Sequence, residues 1–268
     1  MPLLISLLVL VVVYLLLLRC RKGHPGLAEL RRWYYAHRGL HGNGVPENSL
    51  WAFRRAIEKG YGSELDIHLM KDGNLAVIHD ASLKRTADAD VQIEDLTTAD
   101  LENYRLEGTE EKIPLFSEVL ELYAGKAPLI VELKSEKGNY AELCAAACRL
   151  LDTYDGAFCI ESFDPQCIVW LRKNRPELIR GQLSANFLLA KKSKLPLLAK
   201  WAMTTLILTF RSVPDFVAYK FIDRKRLGLT ICRKLWGAQG VVWTIKSQED
   251  FDTAVKEGWI PIFEGFEP

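Results

Sequence analysis

Segments with the residue pattern of short β-strands alternate with helical segments along most of the chain, and this alternation limits the possible folds more than any other feature. Helices are expected at about 49–59, 116–123, 139–154, 165–174, 223–236 and 247–257. The expected strands are 33–37, 64–70, 75–80, 128–134, 157–163, 178–183, 215–220, 240–245 and 259–264. Strands that alternate with helices build a parallel sheet. About eight such strands within 268 residues predict an α/β fold, a (β/α)8 barrel of the TIM type.

The segment ELDIHLMKDGNLAVIHD, residues 64–80, places charge where a strand usually faces a core. Its pattern is typical of two strands joined by a polar turn. Because side chains alternate along a strand, Glu64, Asp66 and His68 share one face. His79 follows on the neighbouring strand, so we expect two carboxylates and two imidazoles close together.

Other charged residues stand at the ends of predicted strands. His37 and Arg38 end the first strand, and Glu132 and Lys134 end the segment PLIVELK. The functional side chains of a (β/α)8 barrel lie at the carboxyl ends of its strands. We therefore expect these residues to converge with the 64–80 segment at one mouth of the barrel.

Glu64, Asp66 and Glu132 would bring three carboxylates into one pocket, where each raises the pKa of the others. A divalent cation resolves this repulsion, and carboxylate oxygens suit Mg²⁺ or Ca²⁺ better than Zn²⁺. Salt bridges with Arg38 and Lys134 are the alternative. Two cations do not balance three acids beside two imidazoles, so we expect one Mg²⁺ or Ca²⁺ ion here.

The remaining groups at the mouth suit the cleavage of a phosphate ester. His37 and His79 are natural acid and base catalysts, because imidazole titrates near neutral pH. Arg38 and Lys134 supply fixed positive charge for an anionic substrate oxygen, and Arg can bind phosphate in a bidentate manner.

Several short motifs, taken in order, resemble the glycerophosphodiester phosphodiesterase family over about residues 33–264. The motifs are HRG at 37–39, PENS at 46–49, E-x-D at 64–66, KDG at 71–73, VIHD at 77–80, E-x-K at 132–134, ESFDP at 161–165 and the Trp-Thr pair at 243–244. The resemblance implies a TIM-type barrel with a small insertion after the second strand, at residues 81–112.

The resemblance also implies the roles of individual residues. It makes His37 and His79 the acid–base pair and directs Arg38 and Lys134 to the phosphate. It assigns the metal to Glu64, Asp66 and Glu132. Five further residues are expected to support the site: Glu47, Asn48, His68, Trp243 and Glu264.

These supporting residues differ in the reason for their selection. Glu47 and Asn48 are expected to orient the loop of His37, with Glu47 close enough to reach the metal site. His68 is expected to donate a hydrogen bond beside the metal. Glu264 stands where many family members carry the Asp of a Thr-Asp pair.

The function expected from this resemblance is metal-dependent hydrolysis of glycerophosphodiesters to sn-glycerol 3-phosphate and an alcohol. The attacking group is either water or the neighbouring glycerol hydroxyl. Two alternatives remain: a lysophospholipase of type D or C that acts on membrane lysophospholipids, and a membrane-tethered phosphate-binding protein without turnover.

Residues 3–18 form an uncharged apolar run that a helix would extend over roughly 24 Å. A buried core helix would show a polar stripe, and a cleaved signal peptide would begin with basic residues. We therefore predict an uncleaved transmembrane anchor at 1–22, a linker at 23–32 and a catalytic barrel domain at 33–268. Arg19, Arg21 and Lys22 predict a single-pass protein of the cell membrane with a cytoplasmic catalytic domain.

The formal net charge of +1 gives no support to nucleic-acid binding. The segment 185–212 combines basic Lys191, Lys192 and Lys194 with an apolar run. It is expected to form an amphipathic helix of the barrel, and an interfacial lid is the alternative.

Overall fold

The structure is a computed structural model that describes residues 1–190 and 195–268. The strands are β1 (Tyr35–His37), β2 (Gly62–Leu69), β3 (Leu75–Val77), β4 (Leu129–Leu133), β5 (Phe158–Ser162), β6 (Arg180–Ser184), β7 (Phe216–Lys220), β8 (Gln239–Ile245) and β9 (Ile260–Phe263). The helices are α1 (Pro2–Leu17), α2 (Leu27–Leu30), α3 (Leu50–Glu58), α4 (Lys84–Ala87), α5 (Phe116–Tyr123), α6 (Tyr140–Leu151), α7 (Pro165–Asn174), α8 (Leu197–Thr205), α9 (Thr209–Ser212), α10 (Leu227–Lys234) and α11 (Gln248–Lys256).

Eight parallel strands close into a barrel, so the predicted TIM-type fold is confirmed. The strands follow one another around the barrel in the order β1, β2, β4, β5, β6, β7, β8 and β9, and β9 pairs back onto β1. Tyr35 is the closing residue, because it stands opposite Gly62 on one side and Ile262 on the other.

Some helices around the barrel begin at a residue whose side chain caps them. Ser49 accepts a hydrogen bond from the backbone N–H of Ala52 at the start of α3, and Asp164 accepts one from Gln166 at the start of α7. Such N-caps satisfy donors that have no partner inside the helix. They fix where the chain turns from the carboxyl end of a strand into the next helix.

The barrel interior is apolar below the mouth. Buried interior side chains alternate with outward-facing ones, which pack against the surrounding helices. The interior set includes Tyr35, Ile130, Cys159, Leu183, Phe216, Val241 and Ile262. Gly181 makes room for Phe216, because a Cβ atom at residue 181 would lie 2.1 Å from that ring.

The insertion predicted at 81–112 follows a hairpin of the second barrel strand. β3 pairs antiparallel with β2, and the chain then forms α4 and several 3-10 turns. The insertion has a small core of its own around Ile78, Leu83, Ile93, Leu101 and Leu106. It is therefore a packed cover beside the mouth rather than an open loop.

The predicted transmembrane anchor is wrong. α1 has 16 residues, which span roughly 24 Å, whereas a bilayer core is about 30 Å thick. Within residues 1–190 and 195–268, no helix combines the length and apolar character needed to cross a membrane. The predictions of single-pass membrane localisation and of membrane attachment through this helix are therefore corrected as well.

The apolar run ends at Leu18, one residue beyond α1, and the chain there packs on the barrel. Leu18 and Cys20 are buried among outward-facing core residues. The indole N–H of Trp236 donates to the carbonyl of Leu15 at 2.9 Å, and the hydroxyl of Thr209 donates to that of Leu17. Composition alone could not separate these packing residues from the rest of the run.

Two other predicted segments have defined structures. Residues 23–32 contain α2, whose Leu27 and Leu30 are buried against the barrel interior. The segment 185–212 contains α8 and α9 rather than one long helix, and its basic residues 191, 192 and 194 lie outside the described residues.

Candidate active site

Three buried carboxylates meet at the carboxyl ends of β2 and β4. Glu64 and Asp66 lie on β2, and the strand register sets Glu132 directly opposite Asp66. All three side chains are buried, and one oxygen from each lies within 4.8 Å of the others. Glu64 and Asp66 share a strand face as predicted, and Glu132 joins them at the mouth because β4 pairs with β2.

The carboxylates have very different tendencies to ionise. Burial, together with Asp66 and Glu132, raises the pKa of Glu64 well above its usual value. Burial and Asp66 also raise the pKa of Glu132 to about 7, although Lys134 acts in the opposite direction. Burial disfavours the charged form of Asp66 too, but Lys134, His79 and Arg38 outweigh it and hold its pKa well below the usual range.

Two cations pair with this cluster, as the salt-bridge alternative required. Lys134 Nζ lies 2.9 Å from Asp66 Oδ1 and 2.8 Å from Glu132 Oε1. Arg38 Nε lies 3.5 Å from Asp66 Oδ2, and the backbone N–H of Arg38 donates to Glu64 Oε2 at 3.2 Å. These contacts stabilise mainly Asp66 as an anion and leave the other two acids with raised pKa values.

The donor set fits a divalent cation. Three carboxylates without enough balancing charge are the oxygen ligands that Mg²⁺ and Ca²⁺ prefer. Asn48 adds a buried amide: its Nδ2 donates to Asp66 Oδ2 at 3.0 Å, and its Oδ1 has no hydrogen-bond partner within the described part of the chain. That carbonyl oxygen is a further candidate ligand on the same side of the cluster.

His79 belongs to a linked series of charged groups. Its Nδ1 lies 2.6 Å from Asp80 Oδ1, and Asp80 Oδ2 accepts a hydrogen bond from Arg85 Nε at 2.6 Å. Arg85 also donates to both oxygens of Glu47, which accepts a hydrogen bond from Arg38. Burial lowers the pKa of His79, with Lys134 and Arg38 in support and Asp66 opposing.

His37 has a carboxylate partner of its own. Its Nδ1 lies 2.8 Å from Glu264 Oε2, and the other oxygen of Glu264 accepts from Lys246 at 3.2 Å. The hydrogen bond with His37 lowers the pKa of Glu264 to about 2. The Nε2 atom of His37 lies 3.9 Å from Glu64 Oε2, on the side of the carboxylate cluster.

One cavity of about 120 Å³ connects most of these groups. Its polar lining is His37, Arg38, Glu64, His79, Glu132 and Glu161, and its apolar lining is Phe163, Leu183, Trp243 and Ile262, beside Thr244. A larger groove of about 330 Å³ lies between α3 and the insertion and contains none of these residues. Chemistry rather than size therefore identifies the 120 Å³ cavity as the candidate site.

The supporting residues predicted from the sequence take several positions. Glu47 is held by Arg38 and Arg85, and His68 bridges Glu94 of the insertion and the carbonyl of His79 at 3.2 Å. Trp243 forms a wall of the cavity against Phe163, with ring centroids 5.7 Å apart. Its indole Nε1 has no hydrogen-bond partner among residues 1–190 and 195–268.

Sequence reasoning missed three residues near the site. Arg85 links Asp80 to Glu47 from inside the insertion at 81–112, for which no site residue was predicted. Glu161 is a fourth buried carboxylate, opposite Glu132, and burial raises its pKa well above the usual range. Its place at the end of β5 was a usable signal. His41, in the loop after β1, lies close to His37 and Glu264, and burial lowers its pKa.

Comparisons with known proteins agree with this geometry. The model of the glycerophosphoryl diester phosphodiesterase family matches residues 37–264. A glycerophosphodiester phosphodiesterase of Caldanaerobacter subterraneus subsp. tengcongensis is 30% identical over 233 residues, which cover 83% of this chain and 89% of that protein. A lysophospholipase D of Rattus norvegicus is 34% identical over 114 residues, or 38% of this chain and 36% of the relative.

Solved structures resemble the fold. An Oleispira antarctica phosphodiesterase, solved in complex with the product sn-glycerol-3-phosphate, has a TM-score of 0.72 and 23% sequence identity. The likeness covers 87% of this chain and 92% of that one. At this identity the likeness shows the barrel fold alone.

Proposed function

The chain belongs to the glycerophosphoryl diester phosphodiesterase family, and we propose that it hydrolyses glycerophosphodiesters to sn-glycerol 3-phosphate and an alcohol. One observation carries the proposal. A single cavity of about 120 Å³ at the carboxyl end of the barrel is lined by both histidines, Arg38 and two of the three clustered carboxylates, Glu64 and Glu132. The third, Asp66, and the cation Lys134 contact this lining through Glu132 and Arg38. This combination binds a phosphodiester and moves protons on both sides of its phosphorus atom.

Glu64, Asp66 and Glu132 are the proposed ligands of one divalent cation, Mg²⁺ or Ca²⁺. When bound, such an ion polarises a non-bridging phosphate oxygen and neutralises charge that develops in the transition state. Because the pKa of Glu132 is about 7 and that of Glu64 is raised, ion binding has to displace protons from these carboxyls near neutral pH. Arg38 and Lys134 add positive charge beside the same phosphate oxygens.

The two histidines are the proposed proton-transfer groups. The lowered pKa of His79 favours a neutral imidazole, so His79 accepts the proton of the attacking hydroxyl or water. Glu264 orients His37 through Nδ1, which leaves Nε2 directed toward the carboxylate cluster. In this position His37 donates a proton to the leaving alkoxide.

The test is turnover of glycerophosphocholine, glycerophosphoethanolamine and a lysophospholipid by the full chain. EDTA should abolish turnover, and Mg²⁺ or Ca²⁺ should restore it. Preference for the lysophospholipid would favour the second candidate, a lysophospholipase D, to which the partial similarity to the rat enzyme points. Binding of glycerophosphodiesters without turnover of any substrate would refute the enzymatic proposal.

A further inference from the structure

The glycine-rich loop after β1 holds one imidazole that the proposed reaction does not use. His41 lies in the segment HRGLHGNG, and the loop around it is well fixed. Gly42 and Val45 exchange backbone hydrogen bonds, and the N–H of Leu40 donates to the carbonyl of Ala52 at 3.0 Å. The side chain of Arg55 donates to the carbonyl of Gly42. This bonding holds the His41 backbone in place relative to β1.

His41 stands beside two groups that already contact each other. One donor atom from each of His37, His41 and Glu264 lies within 4.8 Å of the other two. His37 Nδ1 is 2.8 Å from Glu264 Oε2. The Nε2 atom of His41 is buried and has no hydrogen-bond partner in the part of the chain that the structure describes.

Two imidazoles and one carboxylate form a different kind of site from the all-carboxylate cluster. Oxygen-only ligand sets favour Mg²⁺ and Ca²⁺, whereas a set of two His and one Glu is typical of Zn²⁺. The buried Nε2 atom of His41 is a candidate ligand atom without a hydrogen-bond partner in the described structure. The two clusters share no residue, although His37 Nε2 lies only 3.9 Å from Glu64.

We propose that His37, His41 and Glu264 form a second metal site that takes Zn²⁺ or a similar transition-metal ion, and that its occupation inhibits the enzyme. The ion replaces the hydrogen bond between His37 Nδ1 and Glu264 and recruits His41 as the third ligand. The proton that His37 Nδ1 shared with Glu264 leaves to solvent when the ion binds. His37 then carries a proton only on Nε2, and this metal-bound imidazole is a weaker acid than the imidazolium that protonates the leaving group. The binding claim stands by itself, and the inhibition claim rests on the proposed function.

The experiment measures Zn²⁺ binding to the full chain by calorimetry in saturating Mg²⁺, so that the carboxylate cluster is occupied. Co²⁺ in place of Zn²⁺ gives a visible absorption spectrum that reports imidazole ligation. His41→Gln should lower Zn²⁺ affinity by at least roughly tenfold and remove the Co²⁺ signal, because the site loses one of three ligands. Without Zn²⁺, this variant should hydrolyse diesters at the wild-type rate.

His24→Gln is the matched control, because the ring of His24 hydrogen-bonds with the carbonyl of Glu177 and the N–H of Gly26 and belongs to neither cluster. It should bind Zn²⁺ and be inhibited as the wild type is, whereas His41→Gln should resist inhibition. Equal Zn²⁺ affinity in wild type and His41→Gln would overturn the proposal, as would no Zn²⁺ binding in saturating Mg²⁺. If the wild type cleaves no diester, calorimetry and the Co²⁺ spectrum still decide whether the site exists.

Discussion

The two halves of the barrel mouth belong to one closed sheet of parallel strands, but their inward side chains differ sharply. At the carboxyl ends of β1, β2, β4 and β5 the inward residues are His37, Glu64, Glu132 and Glu161. At the ends of β6, β8 and β9 they are Leu183, Trp243 and Ile262. Both sets line one cavity, so the boundary between charge and apolar surface runs through the site itself.

The difference shows that the groups suited to catalysis lie in one half of the mouth and that the other half contributes mainly to stability. The charged half raises the pKa values of Glu64, Glu132 and Glu161, which means that burial disfavours their ionised forms. The apolar half carries no such cost and packs continuously with the interior below it. The ionised acids of the charged half are unfavourable until a cation binds them, as expected of a binding site. The apolar half packs with the interior and keeps the strands in register.

The largest expected effect on activity comes from removing the charge of Asp66, the carboxylate between Arg38 and Lys134. Asp66→Asn should lower diester turnover by roughly three to four orders of magnitude, because Asp66 is the carboxylate held ionised beside Lys134. Calorimetry with Ca²⁺ or Mg²⁺ should show a matching loss of affinity. Leu183→Met is the control from the apolar half and should keep both. Unchanged metal affinity in Asp66→Asn would remove Asp66 from the ligand set.

The next effect separates proton transfer from metal binding within the charged half. His79→Ala, and separately His37→Ala, should lower kcat by roughly two to three orders of magnitude while metal affinity stays nearly unchanged. The reason is that each ring contacts a carboxylate outside the metal cluster, Asp80 or Glu264. Steady-state kinetics with calorimetry checks this. A variant with an unchanged rate would refute the role of that histidine.

A smaller effect is expected from the apolar half. Trp243→Leu should raise KM by about tenfold and change kcat by less than threefold, because lost wall contact weakens ground and transition states alike. Trp243 contacts Phe163 across the cavity and carries no charge. Metal affinity should not change. A loss of kcat as large as that of His79→Ala would contradict the division between the two halves.

The smallest effect is a pH dependence of the metal-free protein. The pKa of Glu132 is raised to about 7, so the folded protein keeps a proton that the unfolded chain loses at lower pH. Stability from this group is therefore present at low pH and lost as pH rises through about 7. In EDTA, the Tm should fall by roughly 2–4 °C between about pH 6.5 and about pH 8.

This pH window isolates the raised carboxyls. His79 and His41 have lowered pKa values, so their titration changes stability below about pH 6.5. Glu264, with a pKa of about 2, stays ionised throughout this window. Saturating Ca²⁺ or Mg²⁺ should flatten the dependence, and Glu132→Gln should reduce it. A metal-free Tm that rises over this window would contradict the buried-carboxyl explanation.

Much of the barrel could be predicted because its signals are local. The alternation of strands and helices depends on residues a few positions apart, and so do the N-caps at Ser49 and Asp164. The shared face of Glu64 and Asp66 follows from the two-residue period of a strand. The carboxyl-end rule then brought Glu132 and His37 to the same mouth without any knowledge of distances.

The prediction for the N-terminal segment was wrong for the opposite reason. An uncharged apolar run is expected both for residues that face lipid and for residues that pack on a barrel. Only the packed structure places Leu18, and Cys20 just beyond the run, in the core. The insertion at 81–112 was predicted, but its packing beside the mouth and its contact with the site were not, because these contacts join distant residues. Arg85, for example, binds Glu47 across 38 positions.

The sequence by itself determined the strand order of a barrel, the residue types at its mouth and the family to which they belong. Only the tertiary structure decided which carboxylate forms a hydrogen bond with which imidazole. Glu264 reaches His37 over 227 positions because β9 closes against β1, and the same closure brings Glu264 within reach of His41. Local periodicity cannot encode such contacts, since they arise only when the last strand of the sheet pairs with the first.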